Sequence, residues 1–364
     1  MSTHPTICFL TGTLNAFAGA ERMTAVIANA LAERGYRVRI LSLWDRASVF
    51  PLHADVVHDA LFETRPSFKR QYLATVAGIR RFVRQHEVDV LIEVDTMLTL
   101  FTLPATLGMK VRRIAWEHCH FDEDLGRRAR RVARWLAART NEAVVVLTER
   151  DRVRWQQESP KRCNVRTIPN PLPFMFPACA ASLDTRTVLA VGRLVPAKGF
   201  DILISAWSSV APKFPDWKLQ IIGEGEARPA LEEQIHSYGL VGSVSLPGTT
   251  KRVEDHYQTA SVFCLSSWYE GFALVLVEAM SFGLPIVATN CDTGPKELVD
   301  EGINGLLVPT GSPTALADAL GALLQNRPLR EELGSNARQH ARQFDSREIV
   351  GLWRTLIAPD HEIK

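Results

Sequence analysis

Two carboxylates stand in one of the most apolar stretches of the chain: Glu270 and Glu278, within SSWYEGFALVLVEAMSFGLPIVAT, residues 266–289. A carboxylate is almost never fully buried unless something pairs with it. VFCLSS reads as a strand, WYEGFA as a loop and LVLVEAMSFG as a helix closed by Gly283. Glu270 therefore sits on the loop after a strand, and Glu278 one to two turns into the helix. Gly271 lets the backbone approach a ligand closely, and the first amides of the helix are unpaired donors suited to phosphate. A carboxylate also accepts two hydrogen bonds from adjacent hydroxyls. The plainer alternative has Glu270 capping the helix and Glu278 paired with a Lys or Arg; spacing alone does not separate the two.

Three further side chains follow strands. Arg193 and Lys198 lie on the loop after TVLAV, and taken alone they read as exposed surface charges. His118, in WEHCH, follows the strand RRIAW; a lone histidine there is more often structural.

These groups must be held by something of fair size. At 364 residues the chain is too long for one ordinary core and implies about two domains. Hydrophobic residues at 46% and charged residues at 23% describe a soluble globular protein. The six cysteines are dispersed with no CxxC pair, a reducing-compartment pattern without a disulfide framework or zinc site. No basic region followed by a long apolar core opens the chain, and no window has the ~18 apolar residues of a spanning helix. The expected location is the cytoplasm. Net charge is unevenly shared: residues 1–180 carry +8, residues 181–364 carry −6. A basic half implies an anionic contact there.

TICFLTGTL, then helical spacing at Met23, Val26, Ile27, Ala30 and Leu31, a stop at Gly35 and the strand RVRILSL make a βαβ unit. Strands follow at VDVLIEV, RRIAWEH and EAVVVL. RTIPNPLPFMFPA, with four prolines, reads as a linker. The strand–helix alternation then restarts at TVLAVGRL and runs to GLLVPTG. Two consecutive Rossmann-like α/β domains joined near 168–177 are expected, with ligands at the carboxyl ends of the strands.

The motifs now converge on a family. SSWYEGFALVLVEAMSFGLPIVAT resembles the E-x7-E signature of retaining glycosyltransferases of the GT-B fold, family 4. VGRLVPAKGFDILISAW is similar to the first motif of that family's donor domain, with Arg193 and Lys198 at the matching positions. IIGEGEARPALEE, LPGTTKRVEDHYQTA and NCDTGPKELVDEGINGLLVP follow in family order. GTLNAFAGAERMTAVIANALAERGYRV resembles its glycine loop and first helix, and WEHCH its histidine motif. The resemblance covers nearly the whole chain.

It implies an α/β fold of two tandem Rossmann-like domains facing a cleft. Residues 1–170 would bind the acceptor and 171–345 the nucleotide-sugar donor, with a C-terminal helix at about 346–360 packing back on the first domain. The implied reaction moves a hexose or N-acetylhexosamine from a UDP-sugar to a glycan acceptor on a lipid carrier, retaining anomeric configuration. Arg193 and Lys198 would stabilise the departing diphosphate. Glu278 would take the ribose hydroxyls and Glu270 those of the donor sugar, so that ligand satisfies both carboxylates. Gly223, Glu224 and the segment Gly271, Phe272, Ala273 and Leu274 would line the donor site. Gly12 and Gly19 would let the first domain's loop approach the diphosphate and acceptor. His118, or else His120, would contact the donor sugar. No cofactor is implied, and Arg and Lys replace a metal ion; DED at Asp122–Asp124 reads as a solvated turn. The sequence departs from the family at Ala18-Gly19, where two glycines are frequent, and at Ala273, where glycine or proline is.

Arg127, Arg128, Arg130, Arg131, Arg134 and Arg139 surround Val132, Trp135 and Leu136 at helical spacing. A basic amphipathic helix with tryptophan reads as a membrane-surface element over 127–139, with a solvated face as the alternative. Nucleic acid is disfavoured by the acidic half and by the lack of a binding motif. The family's work on lipid-linked glycans fits a peripheral position at the inner face of the membrane. Rival functions on tandem Rossmann domains are a UDP-sugar epimerase, a phosphorylase and a non-catalytic sugar-nucleotide sensor. A phosphorylase needs a lysine-bound cofactor and a far longer chain. The intact Glu270, Glu278, Arg193 and Lys198 speak against a sensor.

Overall fold

The computed structural model describes residues 4–124, 126–159 and 163–358. The elements run β1 (Thr6–Thr11), α1 (Gly19–Ala32), β2 (Arg37–Trp44), β3 (Val57–Phe62), α2 (Tyr72–Gln85), β4 (Val90–Val94), α3 (Thr99–Ala105), β5 (Arg112–Trp116), α4 (Arg128–Thr140), β6 (Ala143–Val146), α5 (Glu149–Glu158) and β7 (Val165–Thr167). They continue β8 (Thr187–Val191), α6 (Phe200–Val210), β9 (Lys218–Ile222), α7 (Arg228–Ser237), β10 (Val244–Gly248), α8 (Val253–Gln258), β11 (Val262–Leu265), α9 (Leu274–Ser281), β12 (Ile286–Thr289), α10 (Pro295–Leu298), β13 (Gly305–Val308), α11 (Pro313–Gln325), α12 (Arg327–Ala341) and α13 (Ser346–Ile357).

The chain forms two compact units. One runs to Pro173 and resumes at Ser346; the other is Phe174–Asp345. Each holds one parallel sheet, ordered β3-β2-β1-β4-β5-β6-β7 in the first and β10-β9-β8-β11-β12-β13 in the second. A parallel sheet needs a crossover between neighbouring strands, so helices cover both faces and the central strands are apolar throughout. The strands TICFLT, VLIEV, AVVV, VFCL and IVAT are buried at every position. Strand order reverses between β1 and β4 and again between β8 and β11, and ligands of doubly wound sheets bind at such reversals.

Two strands, β3 and β7, were not legible in the sequence. Both are edge strands, and VHDALF and VRT carry polar residues and partial exposure that blunt the apolar signal. The C-terminal α13 belongs to the first unit. Arg112 donates to the carbonyls of Ile357 (2.7 Å) and Leu356 (2.9 Å), and Trp353 meets Trp116 edge-on at 4.9 Å. Residues 359 and 360 of the expected helix lie outside the described residues.

Candidate active site

In the second unit the candidate groups gather at the carboxyl ends of the strands, on either side of the reversal between β8 and β11. Lys198 follows β8 and Glu270 follows β11; Lys198 Nζ donates to Glu270 Oε1 at 2.6 Å. Ser267 Oγ donates to the same oxygen at 2.6 Å, and Thr293 Oγ1 donates to the Glu270 carbonyl. Glu270 is buried and Lys198 partly so: the carboxylate side of the pair is enclosed and water reaches the ammonium.

Close backbone packing brings these loops together. Gly199, at φ +60°, ends the turn that carries Lys198, and a Cβ there would stand 2.2 Å from the Ser266 carbonyl oxygen. Ser266 Oγ donates to the Lys198 carbonyl (2.9 Å), and the Trp268 amide donates to Ala197 (2.9 Å). Gly223, at φ +151°, has the carbonyl oxygen of Gly192 1.8 Å from where its Cβ would be. Only glycine fits either position. The Leu194 amide then bonds the Glu224 carbonyl at 2.9 Å, zipping the loops after β8 and β9.

Arg193 is exposed, and its side chain makes no hydrogen bond or ion pair among the described residues. Glu224 pairs with Arg228 one helical turn on, through Oε1 (2.7 Å) and Oε2 (2.8 Å), and hydrogen bonding from Arg228 holds its carboxyl below the usual range. Phe272 is buried edge-on against Phe344 at 5.7 Å. Gly271 and Leu274 are half-buried at the start of α9. Ala273, the N-cap of α9, takes a left-handed backbone at φ +60°, ψ +56° without a capping side chain, which explains why glycine suits the position. Glu278 is 1% exposed, and its Oε2 accepts from the Tyr257 hydroxyl at 2.8 Å. Both carboxylates therefore have protein partners as well, a contribution that the sequence reading did not include. Tyr257 and Ser267 escaped the sequence reading because a hydroxyl in a short helix or on the loop after a strand carries no spacing signal.

The other candidates lie in the first unit. Gly12 ends β1, and a Cβ there would meet the Trp44 ring at 3.0 Å; Gly19 opens α1 with open space around it. His118 follows β5 and packs against Trp116 with the rings tilted by 47° and 4.5 Å apart. Its Nε2 is buried without a partner among the described residues, and burial lowers its pKa to about 4, so the ring is neutral at pH 7. The His120 carbonyl accepts from Arg134 at 3.0 Å. Asp122 and Asp124 pair with Arg154 and Arg131.

The arginine run is not one face. Arg130 and Arg134 are 3% and 4% exposed, on the side of α4 that buries Ala133 and Ala137. Arg130 reaches Asp95 and Glu117, and Arg134 reaches Glu117. They leave the predicted membrane face for a simple reason: Glu117, buried at the end of β5, requires counter-charge. Arg127, Arg128, Arg131, Val132, Trp135 and Arg139 are exposed, with Arg139 over the Trp135 ring at 4.3 Å. The signal for this split was present: positions 130, 133, 134 and 137 share one helical face.

Comparison with known proteins agrees with this geometry. Residues 17–212 match the family described as Glycosyltransferase Family 4, and residues 175–340 that described as Glycosyl transferases group 1. An uncharacterised glycosyltransferase of Haemophilus influenzae is 33% identical over 93% of this chain and 96% of its own. A Campylobacter jejuni α-1,4-N-acetyl-D-galactosaminyltransferase, named for a diNAcBac-PP-undecaprenol-linked substrate, is 28% identical over 97% of this chain and 98% of its own. Among solved structures, Anabaena HepE in complex with UDP and glucose superposes with a TM-score of 0.82 at 22% identity, covering 98% of this chain and 100% of that one. Tandem Rossmann-like sheets, a lysine–glutamate pair at the strand reversal and a family match across most of the length lead to one assignment: the chain belongs to glycosyltransferase family 4.

Proposed function

We propose that the protein transfers a hexose or N-acetylhexosamine from a UDP-sugar to a lipid-linked glycan acceptor, with retention and without a metal ion, in polysaccharide or glycan synthesis. The observation that carries this reading is the Lys198–Glu270 pair at the reversal between β8 and β11. As the glycosidic bond to UDP breaks, the departing phosphate oxygen gains charge, and preorganised cations aimed there are the largest catalytic term in most enzymes. A bound diphosphate draws Lys198 away from Glu270 and joins it with the unpaired Arg193. Glu270 Oε1, relieved of the ammonium, is then open to a hydroxyl of the sugar. Glu278 serves the ribose by exchanging the Tyr257 hydroxyl for vicinal hydroxyls of ligand. The neutral imidazole of His118 offers one donor and one acceptor to a sugar, and Gly223 and the α9 amides take the diphosphate and nucleotide.

The Campylobacter relative supports the lipid-linked acceptor and the HepE complexes the UDP donor. A peripheral place at the cytoplasmic face of the membrane rests on the outer side of α4, where Val132 is 54% and Trp135 52% exposed beside Arg128, Arg131 and Arg139. No helix among the described residues is long and apolar enough to cross a membrane.

The test is UDP release from UDP-glucose, UDP-galactose, UDP-GlcNAc and UDP-GalNAc, with and without a lipid-linked acceptor and with EDTA. Release from one donor, stimulated by acceptor and indifferent to EDTA, is expected, with the α-donor yielding an α-linkage by NMR. Sugar epimerisation without UDP release would overturn the reading, and dependence on Mg²⁺ or Mn²⁺ its metal-free part.

A further inference from the structure

Below the WEHCH segment lies a buried ionic network that the proposed chemistry does not use. Arg134, from the second turn of α4, makes bonds to four groups at once. Its Nε donates to Glu117 Oε2 (3.2 Å), and its terminal nitrogens donate to the carbonyls of His120 (3.0 Å), Glu123 (2.9 Å) and Phe121. Arg130, one turn earlier, grips Asp95 with two nitrogens (3.0 and 2.8 Å) and Glu117 Oε1 with one of them (3.1 Å). Burial opposes its charge, but Glu117 and Asp95 outweigh that and hold its pKa above the ordinary value.

The carboxylates serve the same segment. Glu117 Oε1 accepts the Cys119 amide at 3.0 Å, and Asp151 Oδ1 accepts that of Phe121 at 2.6 Å. Five backbone groups between Cys119 and Glu123 are thereby fixed. Asp95 ties the network to the end of β4, beside the strand reversal, and holds a backbone at φ +124° that non-glycine residues rarely adopt. Stability alone is a weak reason for such an arrangement, because apolar packing replaces buried ion pairs at little or no cost. Two guanidiniums on one helix hold the segment after β5, and the side chain this leaves without a partner is His118, whose Nε2 is buried.

We propose that Arg130 and Arg134 are positioning residues, acting through Glu117 and the 119–123 backbone to present the His118 imidazole for reaction. The role in reaction rests on the glycosyltransferase reading above; the mechanical clamp does not. Arginine is required because five donors in a rigid fork reach three carbonyls and a carboxylate together, which the three donors of a lysine ammonium cannot do in the same geometry.

The test uses the full chain labelled with ¹³C-histidine, with the His118 resonance assigned by its loss in His118→Gln. In Arg134→Gln the His118 titration midpoint is expected to rise by a unit or more as the segment loosens. The kcat for UDP release should fall about tenfold or more, while the Kd of UDP stays within twofold. Arg134→Lys should fall between, and Arg84→Gln, exposed on α2, should match the wild type in both readouts. A folded Arg134→Gln whose His118 titration and kcat match the wild type would overturn the proposal and leave the network a purely structural one. If Arg134→Gln does not fold, Arg134→Lys and Arg130→Lys are judged by the same two readouts. If the wild type releases no UDP from any donor, the glycosyltransfer reading fails while the titration still decides the clamp.

Discussion

The two sheets share a central strand order yet hold their loops in opposite ways. After β8, β9 and β11 the loops are joined backbone to backbone, through Gly199 against Ser266 and Gly223 against Gly192, with one ion pair across the reversal. After β4 and β5 the loops are held by side-chain charge: Asp95 and Glu117 against Arg130 and Arg134, with Glu93 beneath, bonded to Thr99, Thr102 and Asn141. Glycine packing holds the loops without using side chains, leaving Arg193 exposed and Lys198 bonded to a single carboxylate at the rim. A charge network consumes its polar side chains internally and leaves a neighbour, His118, with a buried Nε2 that has no hydrogen-bond partner among the described residues. Mutations should therefore differ in balance: charges in the first unit matter for stability and, through the 119–123 segment, for turnover, and those in the second chiefly for turnover.

The largest expected effect is on stability. Glu117→Ala removes the shared partner of two buried guanidiniums, and uncompensated buried charge costs about 3–5 kcal/mol. Hydrogen exchange at the amides of β4 and β5 should report that loss, with β8 and β11 unaffected. A loss below about 1 kcal/mol would mean that Arg130 and Arg134 find water or other partners, and that the two units are not so different.

In the second unit the corresponding change is Lys198→Ala. It should reduce kcat for UDP release on the order of 10²-fold or more, as removal of a preorganised charge stabiliser does. The Lys198–Glu270 pair is partly solvated and Ser267 still serves Glu270, so thermal stability should change by no more than about 1 kcal/mol. A large drop in melting temperature with unchanged turnover would reverse the assignment.

The third expectation concerns pH. The His118 midpoint of about 4, against 6.5 for an unperturbed imidazole, means that below pH 6.5 the unfolded chain binds a proton the folded one refuses. Its contribution is complete above pH 6.5 and is lost as pH falls toward 4, by about 3 kcal/mol. Asp151, raised to about 7 chiefly by burial, acts in the reverse sense, because the folded chain takes up its proton first as pH falls. The two largely offset each other in the wild type. Comparing wild type with His118→Asn from pH 7.5 to 4.5 isolates the first, and a stability difference independent of pH would show that the imidazole is solvated.

The same contrast explains what the sequence made legible. The two α/β units and the place of the glutamates after a strand could be read because strands buried on both faces are apolar throughout, whereas Lys198 and the glycines of the first loops came into view only through the family resemblance. The arginines of α4 were read as one amphipathic surface because six like charges within 127–139 dominate the composition. Their division into a buried pair and an exposed set follows the helical face shared by 130, 133, 134 and 137, but its cause, Glu117 and Asp95 lying 13 and 35 residues before Arg130, acts through tertiary contact. Tyr257 as the partner of Glu278 was hidden in the same way: a hydroxyl 21 residues upstream carries no spacing signal. Charge-built sites are assembled by tertiary contacts, whereas glycine-built sites lie within short stretches that a family motif can match.

The smallest effect sharpens that last point at Ala273, where the loop after β11 takes a left-handed backbone without a glycine. Its left-handed conformation costs an alanine about 1–2 kcal/mol relative to a right-handed one, which glycine does not incur. Glycine adds unfolded-chain entropy of roughly 0.5–1 kcal/mol in return, so Ala273→Gly should stabilise the second unit by about 0.5–1 kcal/mol. For a unit of this size that is a rise of roughly 1–4 °C in its thermal midpoint. Because Ala273 is the N-cap of α9, kcat for UDP release should stay within about twofold if its backbone already holds the geometry a diphosphate requires. A lower midpoint would mean that the Ala273 methyl, buried in the structure, contributes more by packing than its backbone costs. An unchanged midpoint with faster UDP release would place the strain in the service of the amides at the α9 N-terminus, and the loop after β11 would then be tuned rather than merely packed.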